Sequence, residues 1–593
     1  MRRVLLSGNE AVARGAYEAG VRVAAGYPGT PSTEILESMV RYPEIYAEWS
    51  PNEKVAFDVA AGSSMAGARS LVAMKHVGVN VAADSLLTFS YTGLRGGFIL
   101  VSADDPGMHS SQNEQDNRYY AKFAQIPMLE PADSQEAKDY TRLGLGLSER
   151  FDAPVLLRLT TRISHSKGPV SLGRRKEHLP GGFHKEPAKF VMVPGYARAR
   201  HPLVLDRLSQ LRRFAERSRL NRIEWGNRKV GIVAAGISYQ YAKEALPSAS
   251  FLKLGISYPL PAKLVSEFAS EVGRILVVEE LEPFLEEELR WLGIRAEGKD
   301  LFPRVGELNP DLVEEGLRRA KILRPKSTPR RKGKATPPVF PRPPVLCAGC
   351  PHMGIMQALK ELKVTATGDI GCYTLSALPP IEAIDTCIAM GSSIGNALGI
   401  EKAMPPGASP KVVAVIGDST FLHSGIPALL DVVYNQGRVM VILVDNRTTA
   451  MTGGQDHPGT GITLKGEVSR KLNLPRLCQA LGIERVREVD PYDLQQTRAV
   501  LREELDSPLP SVVITNRPCV LLGPRRKGGG YAVDSERCIG CRLCLQLGCP
   551  ALAWEEKGGE RKGVVQIDAT ACNACSLCAQ ICRQDAIQGE KDA

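Results

Sequence analysis

The stretch VVAVIGDSTFLHSGIPALLDVVYNQGRVMVILVDNRTT runs from Val412 to Thr449. It opens and closes on short apolar runs, VVAVIG and VMVILVD. Their β-branched residues suit strands buried on both faces. Between them, GIPALLDVVYNQG has the pattern of a helix. Strand, helix, strand is the crossover unit from which parallel sheets are built. The same alternation recurs upstream. From about residue 4 to 160, VRVAAGY, SLVAMK, GFILVSA and PVLLRLT read as buried parallel strands, and NEKVAFDVAAGSSMAGA reads as a helix whose small residues allow close packing. Residues 165–227 are more polar and less regular, with a helix in DRLSQLRRFAERSRL. From Lys229, KVGIVAAG and RILVVEE predict a smaller unit of the same kind to about residue 305. The expected fold class is α/β, multidomain, with doubly wound parallel sheets.

The chain has 593 residues and a net charge of +10. That length predicts roughly three to five domains. Much of the excess charge is local: Arg324 to Pro344 holds seven basic residues, seven prolines and no acid. Basic residues interleaved with aromatics on a folded surface would suggest nucleic acid. A Pro/Lys/Arg mixture is instead a solvated linker, so no nucleic-acid partner is expected. The start, MRRVLLSGNEAVARG, breaks its short apolar run at Asn9 and Glu10, so no secretory segment is read there. No run approaches the roughly 18 apolar residues of a membrane span. A cytoplasmic protein without a membrane partner is expected.

Of 14 cysteines, eight follow residue 537. They form two groups, CIGCRLCLQLGCP from Cys538 and CNACSLCAQIC from Cys572. Cys538, Cys541 and Cys544 recur 34 residues later as Cys572, Cys575 and Cys578, and Asp534 recurs as Asp568. Thiols this closely spaced do not easily form several unstrained disulfides, but they can surround an inorganic cluster. The bacterial two-cluster ferredoxin pattern is C-x2-C-x2-C-x3-C-P, with the fourth cysteine serving the other cluster. The second group has that spacing with Arg583 in place of the proline. The first keeps Pro550 and has one extra residue before Cys549, which should only lengthen a loop. By that rule one 4Fe–4S cluster takes Cys538, Cys541, Cys544 and Cys582. The other takes Cys572, Cys575, Cys578 and Cys549. A pair of zinc knuckles is the competing reading. Zinc needs four ligands per site with no third cysteine at the x2 step. The tail, 528–593, is therefore expected to be an α+β two-cluster ferredoxin-like domain.

The opening stretch also carries chemistry. Gly417-Asp418-Ser419 ends one strand, and Asp445-Asn446 ends the next. This pattern resembles the thiamine-diphosphate motif, a GD(G/S) followed downstream by Asn. Mg²⁺ prefers octahedral oxygen ligands. Asp418 and Asn446 would give two and the carbonyl near Thr448 a third, with the diphosphate and water completing the set. Gly417 would let backbone approach the phosphates. Strand ends of an open α/β sheet are where such ligands sit. A lone GDS would be an ordinary turn; the Asn partner shifts the balance. The cofactor's second half-site needs a glutamate to act on N1′ of the aminopyrimidine, and Glu53 in SPNEKVAFDVAAGSSMAGARS resembles that residue. On its own, Glu53 would read as a solvated first-turn residue favoured by the helix dipole.

AAGYPGTPSTE (Ala24–Glu34), CAGCPHMG (Cys347–Gly354), GDIGCYTL (Gly368–Leu375), GDSTFLHSG and DNRTTAMTGGQDHPGTG, with the ferredoxin tail, resemble the alpha subunits of the indolepyruvate branch of the 2-oxoacid:ferredoxin oxidoreductases. The likeness spans most of the chain. It implies oxidative decarboxylation of a 2-oxoacid, with coenzyme A as cosubstrate, CO2 and acyl-CoA as products and ferredoxin as electron acceptor. It implies Thr30 as a contact to the substrate's carbonyl or carboxylate; the residue would equally suit an N-cap with Pro31 at N1. It implies a third 4Fe–4S cluster near the thiamine on Cys347, Cys350, Cys372 and Cys519. It places His352 near the cofactor or coenzyme A, where a structural imidazole fits as well. Cys478 and Cys387 are left as buried structural thiols. The family's gamma-type domain is not found in the chain. A separate beta subunit and an α2β2 assembly are therefore implied, with Glu53 of one subunit near Asp418 of the other.

The expected domains are 1–195, pyrimidine-binding type; 196–322, transketolase C-terminal-like; 323–344, linker; 345–525, diphosphate-binding type; and 528–593. The alternatives are a related 2-oxoacid or aryl-acyl-CoA enzyme of other substrate or reverse direction, a non-oxidative thiamine decarboxylase, and an electron-transfer subunit without chemistry of its own.

Overall fold

The computed structural model describes residues 2–324, 344–405, 411–523, 530–557 and 563–589. It divides into two compact units, Met1–Ala335 and Thr336–Ala593. The basic linker expected at 323–344 lies, but for its ends, outside the described residues.

The first unit is built on a seven-stranded sheet. Tyr46–Trp49, Val23–Gly26, Ser70–Lys75, Phe98–Asp104, Val155–Thr160 and Met128–Leu129 lie parallel in that order. Ile256–Tyr258 closes one edge antiparallel. The central strands are buried throughout, which is why they read as near-continuous apolar runs. Helices Glu53–Met65 and His76–Thr92 pack on this sheet, with Ala56, Phe57, Ala60, Val79, Ala82 and Leu86 in its core. A smaller sheet holds Ile275–Val278, Asn227–Ala235 and Ala249–Leu254 parallel, with Arg222–Glu224 antiparallel at its edge. The boundary expected at 195/196 falls inside the helix Pro194–Arg217. The strand Ile256–Tyr258, expected in the second domain, pairs with the first domain's sheet. The amphipathic helix covers sequence that looked irregular because its polar face dominates the composition.

Charge ties the two sheets of this unit together. Arg118, 1% exposed, bonds Asp116 at 2.5 Å, Glu279 at 2.6 Å and the carbonyls of Glu280 and Glu282 at 2.9 Å. Arg158 bonds Asp104 at 2.7 Å and Glu130 at 2.5 Å.

The second unit has a six-stranded, all-parallel sheet. Its order is Thr386–Cys387, Thr365–Gly368, Val412–Gly417, Met440–Asp445, Ser511–Asn516, Arg485–Val489. The tail adds two antiparallel ladders, Tyr531–Val533 with Ile587–Gly589 and Leu552–Glu556 with Gly563–Ile567. Its internal repeat is visible in the backbone. Gly540 and Arg542 in the first cysteine loop have φ of 70° and 61°, and Ala574 and Ser576, at the matching positions of the second, have 50° and 66°. Left-handed residues are costly for side chains other than glycine. Their paired recurrence shows that both loops take the same sharply wound path around their thiols. Asp534 and Asp568 close the turns that start the two loops, accepting from Glu536 N–H at 2.9 Å and Thr570 N–H at 2.8 Å.

Candidate active site and cluster ligands

Asp418 follows Val412–Gly417 and Asn446 follows Met440–Asp445, so the parallel pairing of those strands puts the two residues side by side at one sheet edge. Asp418, Asn446 and Thr448 are 3%, 6% and 4% exposed. Asp418 accepts from Ser419 N–H through Oδ1 and from Arg447 N–H through Oδ2, both at 2.9 Å. Arg447 has φ 61°, the turn that aims its N–H back at Asp418. Thr448 N–H donates to Asn446 Oδ1 at 3.2 Å. His457 Nε2 lies 3.2 Å from Asp418 Oδ2. Burial alone would raise the Asp418 carboxyl, but the adjacent His457 ring holds it below the usual range. Burial, with the charge of Asp418, raises that of Asp445. Ser419 Oγ accepts from Thr449 Oγ1 at 2.9 Å. A Cβ at Gly417 would stand 3.1 Å from the ring of Tyr373, whose hydroxyl accepts from Gly417 N–H at 3.0 Å. Within the chain, glycine at 417 therefore serves the close approach of Tyr373.

His352 is 3% exposed at the first turn of the helix His352–Leu362. Its Nε2 lies 3.4 Å from Asn446 Nδ2, and its ring meets Tyr373 edge to face at 5.8 Å. Burial lowers its pKa to about 4, with Asp418 opposing, so it is a neutral imidazole that accepts from Asn446. It thereby fixes the rotation of that amide. Sequence reasoning passed over His457 and Tyr373, although both lie inside motifs it quoted. A histidine eleven residues past the Asn was the available signal.

The strand ends on either side of this pair are followed by thiols. Cys372 follows Thr365–Gly368, on one side of Val412–Gly417, and Cys519 follows Ser511–Asn516, on the far side of Met440–Asp445. Cys519 N–H donates to the Asn446 carbonyl at 2.9 Å. Burial raises the thiol of Cys350, and the charges of Cys372, Cys347 and Cys519 raise it further. The four thiols expected to form one group thus share one neighbourhood, beside Asp418 and Asn446. Cys387 ends the edge strand Thr386–Cys387, opposite Gly368, and is half-buried rather than buried as expected, its thiol 3.7 Å from the Asp369 carbonyl; Cys478 is wholly buried among apolar side chains.

In the tail, Cys538, Cys541, Cys544 and Cys582 line a single cavity together with Val533, Val565 and Ile587. Cys578 feels Cys575, Cys549 and Cys572 most strongly after burial, and then Cys544. The thiols therefore group with the fourth cysteine exchanged between the repeats. Among the described residues no three ligand-type side chains converge closely enough for a single metal ion. The CAGC loop is held against the tail. Asn573 Nδ2 donates to the Ala348 carbonyl at 2.6 Å, the Tyr492 hydroxyl donates to the Gly349 carbonyl, and Gly349 N–H points at the Cys549 sulfur.

In the first unit, Glu53 is the first residue of its helix, with Asn52 as N-cap. It is 5% exposed, which removes the reading of a solvated first-turn residue. A Cβ at Gly78 would stand 2.6 Å from Glu53 Oε1, so this carboxylate lies against the first turn of the neighbouring helix, His76–Thr92. Thr30 is not an N-cap and Pro31 is not at N1. The helix begins at Thr33 after Ser32, because Ser32 N–H to Gly29 O at 2.8 Å and Gly29 N–H to Thr33 Oγ1 at 3.0 Å first close a turn.

A family model described as pyruvate flavodoxin/ferredoxin oxidoreductase, thiamine diP-binding, matches residues 14–209. A second, the thiamine pyrophosphate enzyme C-terminal TPP binding domain, matches residues 369–515. The indolepyruvate oxidoreductase subunit IorA of Archaeoglobus fulgidus is 42% identical over 619 residues, covering 99% of this chain and 98% of its own. The chain belongs to the IorA family. The Thermococcus kodakarensis IorA is also 42% identical, over 100% of this chain and 97% of its own. A solved 2-oxoglutarate:ferredoxin oxidoreductase from Magnetococcus marinus superposes with a TM-score of 0.46 at 17% identity, over 54% of this chain and 65% of that one. As an IorA-family chain with both thiamine domains, this is a catalytic subunit of the thiamine-diphosphate-dependent 2-oxoacid:ferredoxin oxidoreductases. Among the described residues no helix is long and apolar enough to cross a membrane.

Proposed function

We propose that the chain is the alpha subunit of a cytoplasmic indolepyruvate, or more broadly arylpyruvate, ferredoxin oxidoreductase. One 2-oxoacid, one coenzyme A and two oxidised ferredoxins give one acyl-CoA, one CO2, one proton and two reduced ferredoxins. The substrate class follows from the full-length likeness to IorA proteins. The single observation that carries the redox reading is the row of strand ends: Cys372 and Cys519 flank Asp418 and Asn446 on one edge.

The residues fit the groups assigned to them. Asp418, Asn446 and the Thr448 backbone offer buried oxygens from adjoining strand ends, the kind of donor set that would hold Mg²⁺. Thiamine diphosphate, when bound, supplies a carbon nucleophile and an electron sink that side chains lack. Glu53 holds the proton at N1′ of its pyrimidine. His352 orients Asn446. Cys347, Cys350, Cys372 and Cys519 would hold a 4Fe–4S cluster there. The clamp from Ala348 and Gly349 to Asn573 and Tyr492 would hold the CAGC loop beside Cys549, Cys572, Cys575 and Cys578, which would hold a second 4Fe–4S cluster. Cys538, Cys541, Cys544 and Cys582, which line one cavity, would hold a third, and such clusters would supply one-electron transfer toward ferredoxin. A separate beta subunit completes an α2β2 enzyme in which the cofactor is shared between two copies. The test is anaerobic co-purification with the small subunit, followed by viologen reduction with indolepyruvate, phenylpyruvate, pyruvate and 2-oxoglutarate. Arylpyruvates should dominate and coenzyme A should be required; a marked preference for pyruvate contradicts the substrate assignment.

A further inference from the structure

Lys75 belongs to none of the motifs above. It ends the strand Ser70–Lys75 and is the N-cap of the helix His76–Thr92. The residue is 8% exposed. Its ammonium donates to the Ser110 carbonyl at 2.5 Å and to the Ser110 hydroxyl at 3.2 Å, both neutral acceptors. An ammonium has three protons to place, and among the described residues Lys75 has no ion-pair partner. Asp105, the acid whose charge it feels, is taken up by Ser110 N–H at 2.9 Å, Ser111 Oγ at 2.5 Å and Thr161 Oγ1 at 2.7 Å. Buried charges in proteins are normally paired, because desolvation without a counter-charge is strongly unfavourable.

The surroundings identify what is missing. The stem of Lys75 lies under the YPGTPS turn: a Cβ at Gly29 would stand 3.1 Å from Lys75 Cβ and 3.9 Å from its Cδ. The Ser110 hydroxyl also reaches the Thr30 carbonyl at 3.2 Å. Glu53 lies against Gly78, one turn into the helix that Lys75 caps. One cation, the Thr30 turn, the positive end of a 17-residue helix and the glutamate assigned to the pyrimidine thus stand together. We propose that Lys75 is the anchor for the substrate's carboxylate, holding a 2-oxoacid beside Thr30. This rests on the reading that the chain acts on 2-oxoacids. With ionised Asp105 close by, the charge around Lys75 suits a monoanion better than a phosphate dianion. The carboxylate keeps its charge while the 2-oxo carbon is attacked, before it leaves as CO2, so the contact serves bound substrate and that attack alike. Its loss should therefore appear in KM rather than kcat.

The test uses the assembled enzyme with its partner subunit. K75M should raise KM for indolepyruvate about 30-fold or more, the usual consequence of removing one partner of a buried charge pair. Its kcat should change far less, and calorimetric binding of thiamine diphosphate should be unchanged. K75R should recover most of the loss. In the native enzyme, indole-3-lactate should inhibit much better than its carboxamide, and K75M should no longer tell the two apart. Equal inhibition by the two in the native enzyme overturns the proposal even if K75M fails to fold. A K75M effect confined to the KM for coenzyme A overturns it as well. A native enzyme that oxidises no 2-oxoacid refutes the underlying reading instead, which separates the two failures.

Discussion

The two units build the same kind of parallel sheet and finish its strands with different chemistry. In the first, the strand ends carry charge: Lys75, Asp104, Asp105 and Arg158 lie at or beside them, locked by ion pairs and hydroxyls. In the second, the ends carry one carboxylate, Asp418, one amide, Asn446, and thiols, Cys372 and Cys519. An anionic substrate calls for a cation held rigidly in a desolvated place. A diphosphate with its metal calls for hard oxygens, and an electron exit calls for soft sulfur. On the proposed function, one architecture would meet both needs, because its strand ends are open to substitution while its apolar interior is not.

The largest way to break this division is at the second unit. Asp418→Ala should abolish thiamine diphosphate binding and turnover together. In contrast, Glu53→Gln should keep cofactor binding, measured calorimetrically, and lower kcat by about 10² or more, the scale of a lost proton-transfer group. At the first unit, Arg118→Met should strand the buried carboxylates of Asp116 and Glu279. The cost is about 3–5 kcal/mol of stability by denaturant unfolding; iron content should not change. A smaller effect is pH-dependent. Burial lowers the Lys75 ammonium to about 8, with Asp105 opposing and His76 as its other titratable neighbour. Below that pH the ammonium is charged and binds carboxylate; above it the charge is lost. KM for the 2-oxoacid should therefore climb above about pH 8 in the native enzyme and stay flatter in Lys75→Arg. The smallest expected change is Tyr492→Phe, which removes the hydroxyl from the Gly349 carbonyl. About 1 kcal/mol of stability should go, with a modest change in the redox-titrated EPR signal of the cluster on Cys549.

What could be read from the amino acids was what local spacing controls. The β-branched runs marked the strands, and the repeated cysteine steps marked the tail's internal repeat, seen again in the matching backbone turns of its two loops. The GDS–Asn pair marked one edge of one sheet because strand, helix and strand follow one another in the chain. Other features depend on distant segments meeting. His457 reads as a loop residue until it is seen against Asp418. The partners of Arg118 and Arg158 are not visible until Glu279 and Glu130 are brought to them. Lys75 looks like the end of a strand until Ser110 and the Gly29 turn close over it. Thr30 failed as a cap because the Gly29–Thr33 turn satisfied the local backbone groups first, which no propensity scale weighs.

The most direct test of the account is iron counting on anaerobically purified chain, beside a variant carrying both Cys372→Ala and Cys519→Ala. The account predicts about twelve iron atoms per native chain, three four-iron clusters, and about eight in the variant with the tail signals intact. About eight in the native chain, unchanged by the double substitution, would contradict a cluster at the strand ends beside Asp418 and Asn446.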